Sequence, residues 1–477
     1  MVGYSCFFTI FVDLTQSQKT MKKRLFLLLC LFASLVMRAQ TADERLGRLM
    51  NENRWFDLKR ELKTTPADSV HPMLYKMAQA LTCHYFNQPD SACVVLGDLL
   101  NNHQPELGDN TLSMAWLMVM NLARIDRYAE AADLAQSLHD QLRAQGVDSA
   151  QTQNYLVMAR LYRVFADNGP ICQPLHPAGT YRVPMKTHSV MHQAKDKTSQ
   201  GHFITMDGSV NGKGSTLVFD TGAGVNIISS RQARDYGLRL LDATTQMIGM
   251  GMQEGRYAMA DTLRIGEMAW TNVPFLIVDI QTGNAAMDSI GSLLPPVMGM
   301  PLMLRMQEVR LDFEHRQFVI PEKPTPCPLP VSNLLRGDQE TLTMASSDYD
   351  EQPLYFHFDT GCYETSLQRT WFERHKQETL AAGKPDSVMM GGVGAAILTR
   401  GYRLPVKVFR LGNGKAALFS VMVNAGVEGQ AGETETPGYL KGMEDGVLGL
   451  DVLERFKLVI LNLKDMYLEG IPYPEGK

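Results

Sequence analysis

Two tripeptides place carboxylates in matching settings. Asp220-Thr221-Gly222 follows the apolar run Thr216-Leu217-Val218-Phe219, and Asp359-Thr360-Gly361 follows Leu354-Tyr355-Phe356-His357-Phe358. Positioned carboxyl groups can do general acid–base chemistry, one taking a proton while another gives one. A single Asp-Thr-Gly is more often an ordinary turn, because Asp and Gly suit turn geometry. At average residue usage, one copy in 477 residues arises by chance roughly once in ten chains. Two copies, each closing an apolar strand, are far rarer.

The duplication extends beyond the tripeptides. Pro296-Val297-Met298-Gly299 opens the run Met300 to Met306, and Gly446-Val447-Leu448-Gly449 opens Leu450 to Phe456. These runs align without a gap at an offset of 150, and stay aligned into Val309-Arg310-Leu311-Asp312-Phe313 and Val459-Ile460-Leu461-Asn462-Leu463. The Asp-to-Gly separation is 79 residues in the first copy and 90 in the second, so the second copy carries loop insertions. Between the landmarks lie Gly249-Met250-Gly251-Met252 and Gly391-Gly392-Val393-Gly394. Glycines between strand-like runs read as hairpin tips. Gly208, Gly212 and Gly214 have no helix pattern after them and read as hairpin turns, not a phosphate loop.

Each copy therefore has an apolar strand, Asp-Thr-Gly and a distal apolar-Gly motif opening a helix. This resembles the retropepsin-like aspartic proteases, in particular the exported bacterial members with two copies in one polypeptide. The resemblance covers about 181–470. It implies an all-β bilobal domain, with a first lobe at 181–323 and a second at 324–477. It also implies that Asp220 and Asp359 face each other, share a proton and polarise one water, one acting as base and the other as acid. Like charges that close cannot both ionise, so their titrations are coupled. Thr221 and Thr360 would tie the loops through their hydroxyls, and Gly222 and Gly361 would let the backbone turn tightly beneath the carboxylates. Gly249, Met250 and Gly251, with Gly392, Val393 and Gly394, would form flaps over an extended peptide. The implied activity is that of an aspartic endopeptidase acting on a peptide or protein, with no metal, no cofactor and no covalent intermediate. Both copies lie on one chain, so a monomer suffices.

Two positions depart from the family pattern. Pro301 stands where the second copy has Asp451 and the family usually has an acidic residue; Pro fits the first turn of a helix. Ala223 and Cys362 stand where acid-working relatives commonly carry Ser or Thr. A hydroxyl there favours the ionised carboxylate, so its loss implies an optimum in mildly acidic to near-neutral conditions. A second reading stays open: a chain that keeps the fold but only binds peptides, using cleft and helices as a scaffold.

The elements upstream read as helices. From 41 to 166 apolar residues recur at helical spacing, as in Met77, Leu81, Tyr85 and Trp116, Met120, Ala123. Taking Arg54, Gln88 and Arg127 as equivalent gives offsets of 34 and 39, near the period of helix-turn-helix repeats. The region resembles a degenerate tetratricopeptide array, so the fold class is α-helical hairpins followed by the β domain. Its role reads either as a docking surface for a protein partner or as a bundle packed on the next domain. Residues 167–180, with Asn168-Gly169-Pro170 and Pro174-Leu175-His176-Pro177, read as a linker.

Residues 1–40 read as a secretory signal peptide: Met21-Lys22-Lys23-Arg24 is basic, Leu25 to Val36 apolar, and Ala39 a cleavage point. The distance from Met1 leaves Met21 as an alternative start, with residues 1–20 a mis-called extension. The apolar run is short for a membrane anchor, and Cys30 lies inside it after the bulky Leu29, which disfavours lipidation. Export, periplasmic or secreted, exposes Cys83, Cys93, Cys172, Cys327 and Cys362 to oxidation. Five is odd, so at least one stays free or pairs with another chain. Cys83 and Cys93 could bridge consecutive antiparallel helices.

Composition fits these readings. The chain is 45% hydrophobic and 20% charged, enough to bury a full core. Lys+Arg 46 against Asp+Glu 51 gives a net charge of -5 and argues against a nucleic-acid partner. No mature segment has the apolar length of a stable membrane span. The histidine and cysteine spacings are read as offering no zinc site, and no Gly-x-Ser-x-Gly elbow is present. The 29 methionines read as core gap-fillers.

Overall fold

The computed structural model describes residues 41–194, 197–249, 251–285, 288, 291, 293–347, 353–426 and 445–474. The readings of residues 1–40 and of Met250 lie outside the described residues.

Helix formation begins at a capping box. Thr41 Oγ1 accepts the Glu44 N–H at 3.2 Å, and the Glu44 carboxylate accepts the Thr41 N–H at 2.9 Å. Helices follow at Ala42–Asn51, Trp55–Thr64, Pro72–Tyr85, Pro89–Asn102, Asn110–Arg124, Tyr128–Ala144 and Ser149–Asp167. Three of them open in the same way: Arg54, Gln88 and Arg127 are each an N-cap. The residues just before, Asn53, Asn87 and Asp126, have φ of 54, 53 and 62. Asn and Asp are the side chains that tolerate this left-handed backbone best. Small buried residues, including Ala78, Ala80, Ala92, Ala131 and Ala135, let neighbouring helices approach closely. Among the described residues no helix is long and apolar enough to cross a membrane.

The rest of the chain is β-rich, as its glycine-punctuated texture implies, with short helices set between strands. Residues 167–180 do more than link: Gln173–Pro174 pairs with Thr271 and Trp270 at a sheet edge. A first sheet of nine strands carries Lys213–Phe219, which ends at Asp220. A second sheet of eight strands carries Pro353–Phe358, which ends at Asp359. The local topology is duplicated like the sequence. Phe219 pairs in parallel with Met298, and Phe358 with Leu448. Val297 then pairs with Ile227, and Val447 with Ser366, both antiparallel.

A third sheet of five strands joins the copies. Glu308–Asp312 and Phe456–Asn462 pair antiparallel, with Val309 opposite Leu461, Arg310 opposite Ile460 and Leu311 opposite Val459. Because 309 and 459 are equivalent, as are 311 and 461, this register places a local two-fold relation between Arg310 and Ile460. Tyr181–Pro184 and Tyr467–Pro472 complete the sheet on either side.

The helices are packed on both copies. Phe165 meets Tyr257 edge-on at 5.5 Å, and Phe56 stacks on Tyr355 at 5.7 Å. Arg305 binds Asp126 at 2.6 Å, and Arg124 binds Glu340 at 2.9 Å, with the Arg124 side chain only 3% exposed. All five described cysteines are free, so the bridge that Cys83 and Cys93 could have made does not form. Cys93 packs with Ala115 and Val119, whereas Cys83 borders a separate apolar cluster around Leu81 and Leu96.

Candidate active site

Each aspartate is held where its strand ends. The Asp220 N–H donates to Met298 O at 3.2 Å, and the Asp359 N–H to Leu448 O at 3.1 Å. The next turn folds back on the carboxylate: the Gly222 N–H donates to Asp220 Oδ1, and the Gly361 N–H to Asp359 Oδ1, both at 2.8 Å. The amides of Met300 and Leu450 donate to Ala223 O and Cys362 O, both at 2.9 Å, tying each loop to the helix after the distal glycine.

The loops lock together through their threonines. The Thr221 N–H donates to Thr360 Oγ1, and the Thr360 N–H to Thr221 Oγ1, both at 3.0 Å. Each hydroxyl then donates across the junction, Thr221 to Phe358 O and Thr360 to Phe219 O, again at 3.0 Å. Both threonines are fully buried, so these bonds have no water to compete with them.

The lock presses each glycine against the carboxylate of the other copy. A Cβ on Gly222 would lie 2.4 Å from Asp359 Oδ1, and one on Gly361 would lie 2.5 Å from Asp220 Cγ. Neither glycine has a positive φ. The tight turn expected of them needs no unusual backbone; what it needs is the missing side chain.

The result is two carboxyl groups in hydrogen-bonding contact, Asp220 with Asp359. Burial pushes the Asp220 carboxyl well above the ordinary range, and the Asp359 charge adds to this. Such a pair holds one proton under conditions where separate carboxyls would have lost both.

The Pro301 departure has a structural answer. In the second copy Thr365 Oγ1 accepts the Gly449 N–H at 2.9 Å and donates to Asp451 Oδ1 at 2.5 Å. In the first copy one residue does the anchoring: Asn226 Oδ1 accepts the Gly299 N–H at 2.9 Å, while its amide reaches Pro274 O at 2.9 Å. Asn226 and Thr365 both stand six residues after their aspartate. With Asn in place of Thr, no carboxylate is required and Pro301 is accommodated. Burial pushes Asp451 up to about 6.

The thiol of Cys362 donates to Glu364 O, its sulfur 3.4 Å away. Burial raises it well above its ordinary value, so it stays a protonated thiol. His357, on the strand before Asp359, was not picked out by motif. Its Nε2 lies 3.9 Å from Asp359 Oδ2 in a nearly enclosed position, 8% exposed. Aligning the two strands would have revealed it, since Val218 is its counterpart.

The two glycine-rich tips meet. Arg239–Ile248 and Met252–Ile265 form one hairpin, and Lys384–Gly392 and Ala395–Leu411 the other. The Gly251 N–H donates to Val393 O at 2.8 Å, and the Gly394 N–H to Gln281 O at 3.0 Å. A Cβ on Gly249 would lie 2.9 Å from Val393 Cβ. Gly392 is the last residue of its strand, beside this contact.

No group of metal-ligating residues occurs among the described residues. One pair does have a His-x-x-x-His spacing, His188 and His192. They lie four apart in the strand Lys186–Ala194, and four strand residues span about 13 Å, too far for one ion.

The match to known proteins falls on the first copy. Residues 206–302 match the family model described as aspartyl protease. That segment contains Asp220 and the first glycine-rich tip. Among solved structures, basic 7S globulin from soybean is 10% identical, with a TM-score of 0.35, covering 62% of this chain and 98% of its own. The crystal structure of edgp is 13% identical, with a TM-score of 0.32, covering 64% of this chain and 96% of its own. No curated protein matches.

Proposed function

We propose that the chain is an aspartic endopeptidase whose two lobes, one per copy, each supply one aspartate to a single site. The observation that carries this reading is the hydrogen-bonding contact between Asp220 and Asp359, held by the reciprocal threonine bonds. A monoprotonated pair can activate one water and polarise one peptide carbonyl in the same step. The ionised member takes a proton from water as the oxygen attacks the carbonyl carbon, and the other member protonates the carbonyl oxygen. The gem-diol then collapses, the C–N bond breaks, and the leaving nitrogen takes a proton from the dyad. The dyad's part in each step is a proton transfer, and water itself is the nucleophile, so this route uses neither a metal nor an acyl-enzyme.

The two glycine-tipped hairpins serve as flaps over an extended peptide in this reading. The helices act as a brace on both lobes, which their charged and aromatic contacts support. To test the function, the mature chain is offered a diverse peptide library beside an Asp220→Asn variant. Cleavage by the first and not by the second is expected. Binding without cleavage by both would point to a peptide-binding scaffold.

A further inference from the structure

The duplication supplies an internal control for what surrounds each carboxylate, and the two sides differ. Two residues before Asp220 stands Val218; two residues before Asp359 stands His357. We propose that His357 gives the dyad a fixed polarity: Asp359 carries the charge and takes the proton of water, while Asp220 holds the shared proton and delivers it to the substrate carbonyl. This rests on the peptidase reading above and assigns the roles within it.

Two observations point the same way. First, His357 Nε2 lies 3.9 Å from Asp359 Oδ2, with little water around it. In the tautomer with Nε2 protonated, the imidazole dipole at this distance favours the Asp359 anion, and Val218 offers Asp220 nothing comparable. Second, the Cys362 N–H is shared between Asp359 O at 3.2 Å and Asp359 Oδ1 at 3.1 Å. The equivalent Ala223 N–H donates to Asp220 O at 3.3 Å. One contact opposes these: the Gly361 amide also lies near Asp220 and favours its charge. That amide donates to Asp359 Oδ1 at 2.8 Å as well, so it does not reverse the balance.

The surroundings of His357 leave Asp359 as the charged group that acts on it. Across the strands it faces Thr343 on one side and Val447 on the other, neither ionisable. Burial lowers its basicity while the Asp359 charge works against that. A neutral imidazole with Nε2 protonated acts on the anion through its dipole, across 3.9 Å, without competing for the catalytic proton, which makes His357 a positioning residue for charge.

The proton balance closes. Asp359 gains a proton from the attacking water, and Asp220 gives one to the carbonyl oxygen. On collapse Asp359 passes its proton to the leaving nitrogen, and a gem-diol hydroxyl returns one to Asp220.

The test uses the mature chain with His357→Val, which copies the first lobe, and His357→Gln, which keeps an N–H donor. Removing a group that favours the anion means a higher pH is needed to reach the monoanionic dyad. His357→Val should therefore move the acid limb of kcat/KM upward by about one pH unit, about tenfold in rate on that limb. His357→Gln should move it less. A purely structural role would lower the rate at every pH and leave the limb in place. Carbon-13 NMR of labelled aspartate, assigned with Asp220→Asn and Asp359→Asn, reads the polarity without any substrate. Asp220 should be the dyad carboxyl that stays protonated towards neutral pH. An unmoved acid limb in His357→Val, or a persistent proton on Asp359, would overturn the proposal. If His357→Val fails to fold, the wild-type NMR titration still decides. If no peptide is cleaved, the peptidase reading fails while the polarity remains measurable.

Discussion

Adding one methyl group at either central glycine should disable the site while leaving its carboxylates chemically intact. In Gly222→Ala the new Cβ would meet Asp359 Oδ1 at 2.4 Å, Cγ at 2.5 Å and Oδ2 at 2.8 Å. In Gly361→Ala it would meet Asp220 Cγ and Oδ2 at 2.5 Å and Oδ1 at 2.6 Å. Ordinary contacts begin near 3.4 Å, so each carboxylate must retreat by about 1 Å, a misplacement that can cost on the order of 100-fold in rate. The loops cannot give way cheaply, because Thr221 and Thr360 are fully buried and bonded to each other. Overpacking should also destabilise the fold by about 1–3 kcal/mol. Gly214→Ala is the control, since a Cβ there meets nothing within 4 Å. The assay is kcat/KM on one cleaved peptide, with a thermal melt of each variant. Near-normal rate in Gly222→Ala or Gly361→Ala would refute the close approach of glycine and carboxylate.

The raised Asp220 carboxyl makes stability depend on pH. The folded chain keeps a proton that the unfolded chain loses above about pH 4, so this group's contribution is full below that value and declines as pH rises. Asp220→Asn should therefore gain thermal stability relative to wild type between pH 4 and pH 7, and a constant difference across that range would contradict the shift. Glu340→Gln should cost about 3–5 kcal/mol in urea unfolding, because it leaves the Arg124 and Arg336 side chains, 3% and 8% exposed, without their carboxylate; superimposable unfolding curves would mean that the pairs contribute nothing. The activity bell should centre in mildly acidic to near-neutral conditions, since Ala223 has no donor and the Cys362 thiol donates to Glu364 O instead of a dyad carboxylate. Replacing both with Ser should shift the bell to lower pH, and an unmoved bell would remove this argument.

The sequence carried the elements that repeat. The gapless offset between 300–313 and 450–463 reappears as the two-fold register around Arg310 and Ile460. The equivalence of Arg54, Gln88 and Arg127 reappears as three helix N-caps behind left-handed residues. Features that break the repeat were harder to read. Pro301 registered only as a gap in a pattern, because its compensation lies in Asn226, 75 positions away in sequence. His357 sat inside an apolar run and carried no motif. The brace between helices and sheets was hidden for a different reason: pairs such as Arg124 and Glu340 join distant parts of the chain and leave no periodic trace. The bridge open to Cys83 and Cys93 is absent because helix adjacency does not decide which apolar cluster each cysteine enters.

The most direct test compares wild type, Asp220→Asn, Asp359→Asn and an equimolar mixture of the two variants on one peptide at nanomolar concentration. Two aspartates from one chain forming one site predict cleavage by wild type alone, at a specific rate unchanged by dilution. Near-normal cleavage by either single variant would contradict a shared dyad. Recovery of activity in the mixture would show that the dyad assembles between chains.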